Sequence, residues 1–359
     1  MFFKVSQCPQ NCACEVTKMS LNYFYLAGIR AALYGLKQAP RLWYDEINRF
    51  LLSIGLRQST TDPNLYIGLG FLLLLYVDDI ILVHTLPNGG EPTKQQLLQK
   101  YRMTDLGIAS RFLGIEIHQS IEGISLCQGD YIRKMLQRFR MQDCHDALSP
   151  MDPNVRLSNR SCEDKPIADR KQYHSMVGSL MYAALGTRPD LSYCVTALSR
   201  YNATPLQMHL TAAKRALRYL KRTADHRLSN PRASRLVEGP PAEVVIHGFT
   251  DSDWARNELT RKSVGGCIFF AGPSPGVARV PGTNSTQASG AIHWQSRPQK
   301  VVALSTLEAE SIAFSDAVRE AIWVRWLLAD MIGVSLSRSA VGSSSLPAAV
   351  DIGCDNKGR

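Results

Sequence analysis

No apolar run in this 359-residue chain could cross a bilayer uncharged, because the longest, Leu65 to Val83, is interrupted by Asp78 and Asp79. Two carboxylates at mid-bilayer would cost about 2.5 kcal/mol or more each, so no transmembrane helix is expected. The first sixteen residues lack the apolar core and small-residue cleavage site of a secretory signal. No repeat of 20 to 50 residues is visible, which argues against a solenoid or propeller. A Gly-rich phosphate loop of the P-loop type is missing, and so is support for a serine or cysteine nucleophile. The nine cysteines are odd in number and mostly scattered, unlike a disulfide framework. A reducing compartment, cytoplasmic or nuclear, is therefore expected, without secretion. Cys8, Cys12 and Cys14 have no fourth ligand at finger-like spacing, so a zinc site is not expected. Aspartate is absent from Met1 to Tyr44, where Glu15 is the sole acid.

What is present is ordinary globular material, 45% hydrophobic and 20% charged, at a length that allows two or three domains. The net charge of +10 is unevenly spread. Residues 151–240 carry 15 basic and 7 acidic residues, a surplus of +8, while residues 1–150 stand at +2 and 241–359 at zero. A basic middle between near-neutral flanks suits a polyanion held across a central surface, because lysine and arginine displace phosphate counterions. A solvated basic face is the alternative reading.

Periodicity predicts an amphipathic helix over Arg41 to Ile54 and further helices over Gln128 to Arg140 and Met208 to Arg222. The last gathers Lys214, Arg215, Arg218, Lys221 and Arg222 largely on one side. Phe71 to Tyr76 and Ile80 to Val83 suit two strands of a hairpin with the acidic pair at its tip. Pro, Gly and Ser mark Ser229 to Glu243, read as a domain boundary, and Gly272 to Gly290, read as a long loop; Val334 to Leu346 is a third, Ser-rich stretch. Beyond the boundary, strands are expected at Val244 to Thr250, Gly265 to Phe270 and Ala291 to Trp294, then a long helix from Leu307 to Met331 and a strand from Ala348 to Cys354. That order predicts an α/β layer with a mixed sheet.

Adjacent aspartates between apolar strands repel one another, and a divalent metal would resolve the repulsion. A plain Asp-Asp turn is the simpler reading of two residues alone. Ala32 to Tyr44 (ALYGLKQAPRLWY), Leu75 to Leu82 (LYVDDIIL), Met103 to Ile117 (MTDLGIASRFLGIEI), Gly178 to Asp190 (GSLMYAALGTRPD), Phe249 to Ala255 (FTDSDWA), Leu304 to Ala313 (LSTLEAESIA) and Cys354 to Lys357 (CDNK) follow one another in order. Over about residues 26 to 359 these motifs resemble the pol polyprotein of copia-type LTR retrotransposons, whose proteins are reverse transcriptases followed by ribonuclease H domains.

The resemblance implies an α+β fold: a partial reverse-transcriptase palm and thumb over 26–150, a basic helical thumb or connection region over 151–240, and a ribonuclease H-like domain over 241–359, after a divergent segment at 1–25. It implies two-metal phosphoryl transfer with Mg²⁺, for which Mn²⁺ can substitute. Asp78 and Asp79 map onto the polymerase's metal-binding hairpin, with Tyr76 near the primer terminus and Gln38 against the incoming nucleotide. Phe112, Leu113 and Gly114 map onto the primer grip, although packing would also explain Leu113 and a bulge Gly114. Asp251, Glu310 and Asp355 map onto the nuclease carboxylates, with Glu308 competing with Glu310 and Asp253 secondary. Asp251 is expected to end a strand and Glu310 to lie in the first turn of a helix. Implied partners are RNA, DNA and RNA–DNA hybrid, deoxynucleotides for a competent polymerase, and an intact copy of the element; no membrane is implied.

The family's third polymerase aspartate lies upstream of GLKQAP, where this chain has none, so polymerisation is expected to be absent. Sequence after Asp355 is four residues long, which leaves out a following helix and the family's last acidic residue, so impaired nuclease activity is expected. A relic that binds nucleic acid without chemistry is the alternative.

Overall fold

The computed structural model describes residues 16–21, 37–84, 86, 88–158, 165–231, 246–256, 260–271, 290–332 and 350–354. The first sheet has six strands: β1 (Val16–Leu21), β2 (Arg57–Gln58), β3 (Leu65–Gly68), β4 (Phe71–Tyr76), β5 (Asp79–His84) and β6 (Met103–Ile108), in the order β2-β3-β4-β5-β1-β6. β4 and β5 read FLLLLY and DIILVH without polar alternation, the mark of a sheet covered on both faces. On one face, Leu73, Leu75, Ile80 and Leu82 pack against Trp43, Ile47 and Leu51 of α1 (Ala39–Ser53) and Leu97 of α2 (Glu91–Lys100). Pro40 opens α1, where its missing N–H costs nothing. The 43/47/51 spacing then puts one side chain per turn on the sheet.

Across the other face run two coverings. One is a small antiparallel sheet of β7 (Arg111–Phe112), β8 (Ile115–Ser120), β9 (Gly123–Cys127) and β10 (Leu228–Pro231). Its Phe112, Ile115 and Ile117 meet Ile81, Leu74 and Val83. The presumed linker at Ser229 thus begins as a strand, paired so that Ser229 faces Ser125. Polar composition suggested a loop there, but β9 offers an open edge that captures the segment.

Four helices form one separate core: α3 (Gly129–Arg138), α4 (Arg170–Gly186), α5 (Ser192–Ser199) and α6 (Gln207–Arg222). Because α3 shares this core with α4 to α6, the packing runs continuously across position 150. At its centre Arg188, only 2% exposed, is forked onto Asp190 (Nη2 to Oδ2 2.7 Å) and donates to the Thr223 carbonyl at 2.9 Å.

The third sheet follows the order β13-β12-β11-β14, built from β11 (Ile246–Asp253), β12 (Val264–Ala271), β13 (Ala291–Pro298) and β14 (Val350–Cys354). β14 runs parallel to β11 and the other pairs are antiparallel, so the sheet is mixed. The long helix α7 (Thr306–Ile332) lays Ala317, Ala321, Val324 and Leu328 on Phe269 and Ile292. Its Leu327, with Trp323 and Met331, is the second covering of the first sheet, against Leu65 and Leu72. Among the described residues, no helix is long and apolar enough to cross a membrane.

Candidate carboxylate sites and nucleic-acid surface

Asp78 and Asp79 occupy the tip of the β4–β5 hairpin, where Tyr76 pairs with Asp79 and Val77 and Asp78 make the turn. Val77 is forced to φ +51°, unusual for a β-branched residue. Trp43 of α1 holds the turn by donating its indole N–H to the Val77 carbonyl at 2.7 Å. Burial first, and then the neighbouring Asp79 charge, push the Asp78 carboxyl above its ordinary range. Its Oδ1 is buried without a hydrogen-bond partner. Asp79 is engaged otherwise, 3.3 Å from the Lys18 ammonium on the adjacent strand β1. Gln38 is exposed at the start of α1 and makes no side-chain cap bond.

Phe112, Leu113 and Gly114 lie beside this tip. Phe112 stands edge-on to the exposed Tyr76 ring, centroids 6.4 Å apart. Leu113 (φ +49°) and Gly114 (φ +74°) make the two-residue turn between β7 and β8, the positive-φ pair of a type I′ hairpin. Tyr182 of α4 donates its O–H to the Leu113 carbonyl. A Cβ on Gly114 would stand 2.8 Å from the Tyr182 hydroxyl oxygen. Leu113 also packs against the core of the small sheet. Tyr131 of α3 tilts against Tyr182 at 4.7 Å, extending the aromatic set.

A second carboxylate pair forms on the mixed sheet. The Ser252 N–H lies 2.8 Å from Asp251 Oδ1 and 3.3 Å from Glu310 Oε1, so strand and helix bring both acids to one amide. Cys354, at the end of the parallel strand β14, places its thiol 3.9 Å from Glu310 Oε2. Asp355 lies outside the described residues, as do Cys8, Cys12 and Cys14. Two positional expectations need correcting. Asp251 does not end its strand, because pairing with β12 continues to Asp253 opposite Val264. Glu310 sits beyond the first turn of α7, because the helix starts at Thr306.

Glu308 and Glu310 are engaged differently. Ser305 Oγ accepts the Glu308 N–H at 3.1 Å, and Glu308 Oε2 accepts the Leu304 N–H at 2.7 Å. Glu308 is thereby spent on the helix end, in the reciprocal manner of a capping box. The Ser-Thr-Leu-Glu spacing at 305–308 was the available signal. Asp253 is partly buried, and its Oδ1 takes the Val264 N–H at 2.6 Å. Burial raises its carboxyl above the ordinary range. Among the described residues, no group of three His, Cys, Asp or Glu side chains could hold a metal ion.

The basic helix α6 is used in two ways. Arg215 pairs with Asp152 (3.4 Å), and Lys221 with Asp146 (3.6 Å) and the Cys144 carbonyl (2.6 Å), so these two bind the 144–152 segment to the helix. Lys214, Arg218 and Arg222 have no ion pair with a carboxylate among the described residues, and Arg222 is exposed.

The comparisons with known proteins meet this geometry. Residues 26–153 match the family model for reverse transcriptase (RNA-dependent DNA polymerase). A transposon Ty5-1 protein of Saccharomyces cerevisiae is 30% identical over 82% of this chain and 90% of its own length. The chain belongs to the copia-type retrotransposon Pol family. Within it, the Pol polyproteins of transposon RE1 from Arabidopsis thaliana and transposon TNT 1-94 from Nicotiana tabacum are each 34% identical, over 93% and 84% of this chain. The chain spans about a fifth of the length of those Pol polyproteins (20% and 22%). Lys18 and Tyr182 are the site residues that sequence reasoning missed. Tyr182 lies within the GSLMYAALGTRPD motif, which could have flagged it, whereas nothing in the sequence around Lys18 signals a role.

Proposed function

We propose that the chain is a nucleic-acid-binding Pol segment in which the mixed-sheet unit is ribonuclease H-like and cleaves the RNA strand of an RNA–DNA hybrid, while the polymerase-like half grips the duplex without extending it. The observation that carries this reading is the convergence of Asp251 and Glu310 on the Ser252 amide. Two carboxylates with their lone pairs on one side form the hard-oxygen donor set that Mg²⁺ or Mn²⁺ takes, and Asp355, in CDNK, is the third member by motif. Asp251 and Glu310, with Asp355 by motif, would hold Mg²⁺, which would supply a nucleophilic water and charge stabilisation at the phosphodiester. The capped helix end fixes Glu310 relative to the strand, and Ser252 orients both carboxylates.

The hairpin tip is a poorer donor set. It offers two aspartates, of which Asp79 already faces an ammonium. Tyr76, Phe112, Leu113 and Gly114 line the tip for a primer end, and Gln38 is exposed for a nucleotide. Lys214, Arg218 and Arg222 provide phosphate contacts whose affinity falls with salt.

The test is Mg²⁺- and Mn²⁺-dependent cleavage of a labelled RNA–DNA hybrid by the full chain. Cleavage is expected to disappear in Asp251→Asn and Glu310→Gln. Folded wild-type protein that binds the hybrid but leaves it intact would overturn the nuclease reading in favour of binding alone. Primer extension by the same preparation would overturn the polymerase half.

A further inference from the structure

We propose that Lys18 is a built-in counter-cation of the Tyr76–Asp79 hairpin, its ammonium standing where a divalent cation would have to sit to reach Asp79. This rests on the reading of that hairpin as the polymerase's carboxylate tip. The strand register places the lysine there. Ser20 of β1 lies opposite Asp79 and Lys18 opposite Ile81, which makes Lys18 the diagonal neighbour of Asp79 on the same sheet face. The Nζ–Oδ1 separation is 3.3 Å, with the side chains only 19% and 23% exposed.

Two further features hold the ammonium in place. Its nitrogen lies 5.9 Å from the centroid of the Phe112 ring, so the same aromatic that meets Tyr76 also covers the lysine. On the other edge of β1 the ladder slips, with Thr17 opposite Ile108 but Met19 opposite Asp105, so that β6 carries an extra residue across from Lys18. Gly107, at φ +69°, takes the bend. Bulges of this kind re-aim the facing side chain and increase local twist.

The charge balance follows from these contacts. Asp79 is compensated by a fixed cation, and Asp78 keeps one buried oxygen without a partner. A divalent ion shared by the two carboxylates would have to approach the Lys18 ammonium within a few ångströms in a partly desolvated site, where like charges repel far more strongly than in water. The ion can enter only by displacing the lysine. The hairpin therefore carries its own counter-cation at Asp79, and nucleic acid meets it without a metal bridge.

The experiment is Mn²⁺ binding, read as loss of the free-ion EPR signal, on the full chain carrying Asp251→Asn and Glu310→Gln so that the second carboxylate pair is silent. In this background no saturable binding is expected at millimolar Mn²⁺. Adding Lys18→Met, which keeps the stem over Phe112 and removes the charge, should bring saturable binding at least tenfold tighter, lost again with Asp79→Asn. Lys18→Asp, which adds a carboxylate, should tighten it further, and Lys18→Arg should bring no gain. Saturable binding in the starting background that Asp79→Asn abolishes would overturn the proposal. So would the absence of any gain in Lys18→Met and Lys18→Asp proteins whose circular dichroism and melting are unchanged. Primer–template binding by Lys18→Met tests the polymerase-like reading separately, because tighter Mn²⁺ binding in a protein that does not bind the duplex sinks that reading and leaves the role of Lys18 standing.

Discussion

Tyr182 and Gly114 meet at the Leu113 carbonyl, and each depends on the other. Gly114 supplies the left-handed turn that exposes the carbonyl, and Tyr182 occupies the space that a side chain at 114 would need. Gly114→Ala is expected to cost about 1–2 kcal/mol from the left-handed backbone alone, seen as a lowered midpoint in urea unfolding. Tyr182→Phe keeps the ring against Tyr131 and removes one hydrogen bond, about 1 kcal/mol. If the turn positions a primer end, Tyr182→Phe should weaken fluorescence quenching of a 2-aminopurine at the primer terminus more than it weakens overall duplex affinity. Equal losses in both would reduce Tyr182 to a packing residue. At the nuclease-like pair, Glu308→Ala should cost about 1 kcal/mol through lost capping and leave cleavage intact, whereas Glu310→Gln should do the reverse; thermal melts beside hybrid-cleavage rates separate the two.

Among the elements, the β4–β5 hairpin was legible from its residues and the β1 strand was not. Phe71 to Tyr76 and Ile80 to Val83 are unbroken apolar runs, and an acidic pair between them can only be a tip. Val16–Leu21 (VTKMSL) mixes apolar and polar residues over one short strand and becomes β only because β5 and β6 leave a slot for it. The helices α1, α3, α6 and α7 fell within about two residues of their expected bounds because each repeats an apolar side chain at every turn. The GTRPD end of the motif at 178–190 proves to be an interior latch. Burial alone would raise the Asp190 carboxyl, but Arg188, seconded by Tyr219, holds it below its usual range. Asp190→Asn leaves the buried Arg188 charge uncompensated and should destabilise the helical core by about 3–5 kcal/mol. An unchanged unfolding midpoint would contradict that role.

At the scale of the whole molecule, α7 joins two units that the sequence presents as successive. Asp330, near its C-terminal end, is 9% exposed and takes hydrogen bonds from Ser59 Oγ (2.6 Å), the Thr60 N–H (2.9 Å) and the Thr61 N–H (3.2 Å). Arg57 donates to the Asp330 carbonyl at 2.9 Å. Asp330→Ala should cost about 2 kcal/mol, the scale for hydrogen bonds to a charged group, and should raise proteolysis of the chain between its two sheets. Burial opposes ionisation of Asp330, but the Ser59, Thr60 and Thr61 bonds outweigh it and lower its carboxyl below the ordinary value, as Arg188 does for Asp190. For such depressed groups the stabilisation is complete above the unfolded-state value, near pH 4, and disappears as pH falls through the folded-state value. Acid titration of stability should therefore show a loss below about pH 4 that flattens when Asp190 and Asp330 are both changed to Asn.

Local patterns determined what depends on neighbours in sequence. The apolar runs specified the hairpin, helical periodicity specified the long helices, and seven ordered motifs specified the family and named Asp78, Asp79, Asp251 and Glu310. Tertiary structure alone decided what depends on residues far apart in the chain. Pairing of β1 with β5 set Lys18 against Asp79, strand and helix brought Asp251 and Glu310 to one amide, and α4 carried Tyr182 to the Leu113 turn. Two of the five basic residues of α6, Arg215 and Lys221, are taken up by carboxylates of the 144–152 segment, which packs there. Each of these is an electrostatic or steric contact across tens of residues, and no window of sequence encodes which strand edge or helix face will be its partner.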